Sequence, residues 1–262
     1  YTKIKTNKTV TAQESDPFFN QAVISKITAI EEPTNAGIPT VGVTITLQVP
    51  GTNYHREFTG AAPLGTSAGT GEAVHLVDNM IEKNGLEERY PEFFTAIQKD
   101  GTYRFAKNVN QEDIHSKNDK ALTKLWEQSR RYAGKGTQNA VRNVEKIIAP
   151  FFIGKKAAEI GNLRDFDRQL LQLEFETANV RGKDNTKPVD VMQKKANLGM
   201  NAILPVSLAL ARLKAASEGK EFYDVIREEV MRTMRSIVEE HDQKEPPADL
   251  SFDRLKIEFQ RV

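Results

Sequence analysis

Val41, Val43, Ile45, Leu47 and Val49 alternate with Gly42, Thr44, Thr46 and Gln48. A two-residue apolar period is the mark of a strand with one face buried. The segment AVISKITAIE (22–31) reads as a strand before it, and Tyr54, Arg56 and Phe58 resume the alternation after it. TNAGIP (34–39) and PGTN (50–53) carry turn chemistry between these runs. Three strands joined by short turns predict an antiparallel meander.

Beyond this point the period becomes helical. Ala73, Leu76, Val77 and Met80 sit at helical spacing, and helices are expected around 86–98 and 111–130, separated by a turn or short hairpin at KDGTYRF. Val141, Val144, Ile147 and Ile148 form one helical face, with APFF (149–152) as its end. Arg164–Leu173 reads as a helix and 176–194 as a polar loop. Ile203, Val206, Leu210 and Leu213 mark a buried helix. The apolar positions from Phe222 to Val238 mark a long amphipathic one whose face is expected to pack in the core. Strands first and helices afterwards predict an α+β fold, a three-stranded antiparallel meander followed by a helical bundle. A TIM barrel needs eight alternating strand–helix units in about 250 residues, and no such alternation is present. The organisation expected is a polar tail at 1–21, one domain over 22–240, and a tail or short strand at 241–262.

Charge narrows the range of partners. Lys and Arg number 37 against 36 Asp and Glu, a net charge of +1, so neither nucleic acid nor an anionic membrane is expected. No apolar run approaches the roughly 20 residues of a bilayer span. There is no cysteine, which excludes disulfides and thiolate chemistry. YTKIKTNKTV has no apolar stretch behind its lysines and is not read as a signal peptide, so a cytoplasmic location is expected.

Four collinear blocks then carry a family likeness. AGIPTVGV (36–43), APLGTSAGTGEAVHLVD (62–78), RYAGKGTQNAVRNVEKIIAP (131–150) and NLGMNAILPVSLALARLKAASEGKEFYDVI (197–226) resemble the N-terminal capping domain of enolase, phosphopyruvate hydratase. The resemblance implies a three-stranded meander capped by helices. It also implies that the magnesium carboxylates, the Lys base and the Glu acid belong to a separate C-terminal barrel. Only a short stretch follows Val238. The capping domain's own contribution in that family is a mobile loop, matched here by Gly65, Thr66, Ser67, Ala68 and Gly69. By resemblance Ser67 is the metal-loop residue, and Mg²⁺ enters only with a barrel partner. The glycines suit a hinge.

The chain departs from that pattern at several points. Leu64-Gly65 stands where the family has Ser-Gly, Ala36 where it has Arg, Gly42 where it has an acidic residue, and Pro205 where it has a helical Gly. Pro205 is expected to kink or restart its helix. Residues 79–128 read as an insertion relative to the family.

Other sites carry weaker signals. The 62–78 loop lacks the Gly-Lys-Ser/Thr ending of a nucleotide P-loop, and AGKGT (133–137) does not supply it. His55, His75, His115 and His241 show no metal-ligand spacing and read as surface or structural residues. ERYPEFF (88–94) and Trp126 read as core in preference to an interaction patch. Two functions follow. The first is a non-catalytic binding or structural module, a pseudoenzyme cap that engages a protein partner or itself. The alternative is the cap of a split enolase that lends Ser67 to the dehydration of 2-phosphoglycerate.

Overall fold

The alternating run forms the centre of a three-stranded sheet. In this computed structural model β1 is Val23–Pro33, β2 is Pro39–Gln48 and β3 is His55–Ala61. The structure describes residues 16, 18–63, 72–98, 101–183 and 187–242, with the backbone alone at 98 and 237–242. The strand order is β1-β2-β3, all antiparallel. Ile27 pairs with Ile45 and Ile45 with Phe58, so the apolar positions of the three strands stack on one face. Val41, Val43, Ile45 and Leu47 are almost wholly buried. The outer edge of β1 is covered by residues 154–157, with Ile24 N–H donating to Lys155 O at 2.9 Å and Ala157 N–H to Ala22 O at 2.8 Å. Residues 16 and 18–21 pack on the sheet instead of trailing as a tail. Asp16 accepts a 2.7 Å bond from the Tyr54 hydroxyl, and Phe19 meets Phe58 edge-on.

A second, smaller sheet lies in the segment expected as an insertion. It comprises β4 (Ile81–Glu82), β5 (Phe94–Gln98) and β6 (Thr102–Phe105) in the order β4-β6-β5. With it come α1 (Leu86–Arg89), α2 (Gln111–Ser116) and α3 (Lys120–Arg130). The helix expected at 86–98 is therefore one short turn and a strand. Pro91 is the reason: the residue before a proline is pushed out of the α region, and Tyr90 sits at φ −132°, ψ 60°. The hairpin expected at KDGTYRF is present as the β5–β6 pair. α2 begins with a capping box in which Asn110 and Asp113 exchange side-chain-to-backbone bonds. Leu86, Phe93, Val109, Ile114, Leu122 and Trp126 form a core separate from the main one. Phe93 and Trp126 are thus core residues, with Tyr90, Phe94 and Phe105 partly buried against them.

Three of the remaining helical expectations need correction. α4 (Gln138–Asn143) continues through a wide π-turn at Val144–Ile148 into α5 (Ala149–Phe152), so APFF closes the helical run as expected. Pro150 cannot donate to the ladder, and the ladder widens just before it. α6 (Leu163–Val180) and α7 (Pro188–Lys194) take up most of the expected 176–194 loop. Thr177 Oγ1 bonds back to Leu173 O and Ala178 is fully buried, which carries α6 past its polar sequence. α8 (Met200–Ser217) runs uninterrupted through Pro205, which lies near its start and forfeits one backbone bond. α9 (Phe222–Asp242) forms as expected, but its apolar face is only half covered. Val225 and Met231 are buried, while Tyr223, Ile226, Val230 and Met234 are exposed. α8 supplies too narrow a surface to cover them all. The segment beyond Asp242 lies outside the described residues.

α8 lies directly on the first sheet. At Gly60 a Cβ atom would stand 2.1 Å from Pro205 O and 2.8 Å from Ala209 N. Only a residue with no side chain permits this approach. Phe152, Phe166, Leu170, Leu198, Leu210 and Leu213 fill the space between the helices and the sheet with no measurable exposure.

Candidate functional site

The loop at 64–71, which contains Gly65, Thr66, Ser67, Ala68 and Gly69, lies outside the described residues. Its two stems are described, and both are pinned. On the entry side Ala62 N–H donates to Val41 O at 3.0 Å, and Thr40 Oγ1 donates to Ala62 O at 2.7 Å in a buried setting. On the exit side Val74 N–H donates to Lys194 O at 2.7 Å and Met200 N–H to Val74 O at 2.8 Å. Asn201, fully buried, clasps Leu76 at both backbone groups, accepting at 2.9 Å and donating at 3.0 Å. These bonds explain why Ala73–Met80 is not the helix that its periodicity predicts. Its backbone groups pair with the start of α8 and the end of α7 instead of with each other. Gly199 makes the clasp possible, since a Cβ there would come within 2.7 Å of Leu76 Cβ.

Beneath the exit stem is a mostly apolar cavity of about 230 Å³, bounded by Ala73, Leu171, Met200 and Ile203 with Asp167 and Lys195 at its edge. Asp167 accepts a 2.7 Å bond from the Ser207 hydroxyl. Burial pulls the Lys195 ammonium below its ordinary value, and Glu174 and Asp167 oppose that pull. Crowding pushes the Asp167 carboxyl up, with the Ser207 bond opposing, although its outer edge meets solvent. The serine is a donor to a carboxylate with no imidazole between them, so this is not the arrangement of an activated nucleophile.

Three carboxylates, Asp78 and Glu174 buried and Glu31 half-buried, hold the frame around these stems. Asp78 accepts from Asn139 N–H at 2.9 Å and Gln138 N–H at 3.2 Å, at the start of α4. Burial pushes its carboxyl up, and those backbone bonds offset part of the effect. Glu31 accepts from Thr137 N–H at 2.6 Å and pairs with Arg131. Negative charge at a helix start is favourable, so both acids stabilise α4. Glu174 has no exposed surface. It accepts from Asn197 N–H at 2.9 Å, Asn197 Nδ2 at 2.8 Å and Leu198 N–H at 2.6 Å, which locks the connection between α7 and α8. His75 lies on the exit stem with both ring nitrogens enclosed and without a partner among the described residues. Burial holds its imidazole below the ordinary value. None of these residues was singled out by spacing, apart from His75 as structural, because their partners lie far along the chain.

The other expected site residues fall apart. His55 and His115 are exposed and distant in sequence, and the side chain of His241 is not described. Among the described residues no group of three or more His, Asp or Glu converges to hold a metal ion. The described residues therefore do not amount to a magnesium site by themselves. Among them, no helix is long and apolar enough to cross a membrane.

Comparison with known proteins agrees with this architecture. The family described as "Enolase, N-terminal domain" matches residues 24–226. The chain is 41% identical over 96 residues to a protein named Enolase from Thermococcus kodakarensis, which covers 37% of this chain and 18% of that protein. It is 43% identical over 93 residues to an Enolase from Methanopyrus kandleri, covering 36% of this chain and 17% of that one. The chain thus spans less than a fifth of the length of these curated relatives.

Proposed function

From its membership of the enolase N-terminal domain family, we propose that this chain acts as a docking cap, a module that binds another protein surface and makes no bonds itself. The observation that carries this reading is the uncovered stripe on α9. Tyr223, Ile226, Val230 and Met234 follow one another at three- and four-residue steps, so they share one face, and each is more than a third exposed. A contiguous apolar stripe that the described residues leave uncovered is the kind of surface that protein partners bury. The occupant proposed is an apolar patch of a second protein domain. A photo-crosslinking side chain placed at Val230 tests this in cells. Protein adducts are expected there and not at exposed Asn179. The absence of adducts at both positions sinks the proposal. So does turnover of 2-phosphoglycerate with Mg²⁺ by the chain alone.

A second reading is favoured by the pinned stems around 64–71. Fixed ends with a glycine-rich span between them suit a lid that closes over a neighbouring site. In this reading the docked partner is an enolase-type barrel, and the loop lends Ser67 to it. Turnover of 2-phosphoglycerate only when a barrel chain is added, and lost on Ser67→Ala, is the result that favours it over the first.

A further inference from the structure

A second cavity lies where the small sheet meets the main body, with Asn79 of the exit stem in its lining. Its volume is about 310 Å³, at the low end of small-molecule sites, which run from roughly 300 to 1,000 Å³. Trp126 forms an aromatic wall with Phe105 edge-on to it at 4.9 Å between centroids. Arg104 and Lys107 line it at the end of β6, and Arg130 at the end of α3. No acidic side chain stands among the described lining residues.

The pattern of pairing gives this excess of cations its meaning. Elsewhere in the same unit Lys83 pairs with Glu88, Arg89 with Asp119, and Lys117 with Glu92. Among the described residues Arg104 and Lys107 have no such partner, and the described partner of Arg130 is the Trp126 ring, 4.6 Å from its guanidinium carbon. The chain as a whole is nearly neutral, so general basicity does not explain three cations around one cleft with no carboxylate partner among the described residues. Asn79 adds a side-chain amide to the lining. The opposite wall includes Ala133, which with Tyr132 is one of two successive non-glycine residues in left-handed backbone, at φ 53° and 50°. That conformation is costly, and it persists where the surroundings enforce it, here through Arg131 and its bond to Glu31.

We propose that this cleft binds a small polyanion of the phosphorylated-metabolite class. An oxyanion with two or more negative charges would accept charge-assisted bonds from the guanidinium groups on two sides while Lys107 supplies a further point charge. The apolar wall of Trp126 and Phe105 would pack against the carbon skeleton. The proposal does not depend on the α9 stripe or on the loop.

Trp126 is the sole tryptophan of the chain, so its emission reports on this cleft alone. The intact chain is titrated with inorganic pyrophosphate and, separately, with citrate. A saturable change with pyrophosphate is expected, with a dissociation constant at or below about 0.1 mM, and it should weaken as salt is added. Arg104→Ala combined with Lys107→Ala should weaken it by about tenfold or more, while Lys146→Ala, an exposed lysine between α4 and α5, should not. Arg104→Lys keeps the charge but not the planar fork, so it should weaken binding less than Arg104→Ala does, with an unchanged melting temperature. No saturable response to either anion, by emission and by equilibrium dialysis, overturns the proposal. Equal weakening in Lys146→Ala does the same. Tighter binding of citrate than of pyrophosphate overturns the phosphorylated class.

Discussion

The two sheets of this molecule solve the same problem at different scales. β1-β2-β3 lies against α4, α5 and α8 and shares one continuous core with α6 and part of α9. Among the described residues β4-β6-β5 shares a core of six buried side chains with α1, α2 and α3. The large sheet draws on partners from the whole length of the domain. The small one is closed within about fifty residues, and its polar ties to the rest include Gln128 with Asp78 and Asn139 and Glu82 of β4 with Arg181. Local stability follows buried apolar contact, so the small unit should open at lower free energy than the body.

The largest test of this comparison is Phe166→Ala. Phe166 is wholly buried in the main core, and its truncation should cost about 4 kcal/mol and lower the urea midpoints of far-ultraviolet dichroism and Trp126 emission together. Leu122→Ala should cost about 3 kcal/mol, but locally. Trp126 emission and amide exchange in β5 and β6 should shift while β1–β3 keep their protection. If both sheets exchange together, the two-unit picture is broken. Glu174→Gln should cost about 2 kcal/mol, because an amide group then faces the N–H donors of Asn197 and Leu198. Thermal melts measure it, and an unchanged melting temperature would show that the α7–α8 connection is held by packing alone.

The smallest effect is at His75. Burial holds its imidazole below the ordinary 6.5. As the pH falls from neutrality through about 6.5, the unfolded chain takes up a proton that the folded chain refuses, so stability declines until the folded value is reached. His75→Phe should raise stability by about 1 kcal/mol at neutral pH and flatten the melting temperature between pH 7 and 5. A slope that persists unchanged in this variant would assign it to other groups.

What was legible in the sequence divides along the same line as the two sheets. The period at 41–49 is clean because β2 is central and one of its faces meets helices throughout. The same holds for Ile203, Val206, Leu210 and Leu213, which α8 buries together. Between Ala73 and Met80 the apolar spacing misled, since Leu76 and Val74 are held by α7 and α8 and no helical ladder forms. The 86–98 stretch misled because one proline outweighed a good helical composition. The frame of the candidate site was nearly invisible. Leu76 and Asn201 are 125 positions apart, and Glu31 and Thr137 are 106 apart, so no local pattern announces them. The loop residues Gly65–Gly69 were read from family resemblance alone, and they lie outside the described residues.

Gly60 sets a limit on how this architecture can move or change. Where side chains separate two layers, a substitution can be absorbed by rotamer shifts on either side. Here main chain touches main chain, so nothing soft lies between β3 and the first turns of α8. Displacing one drags the other, and the exit stem clasped by Asn201 travels with them. A force applied to α8 from outside would therefore be felt at both stems, Ala62 after β3 and Leu76 beside Asn201.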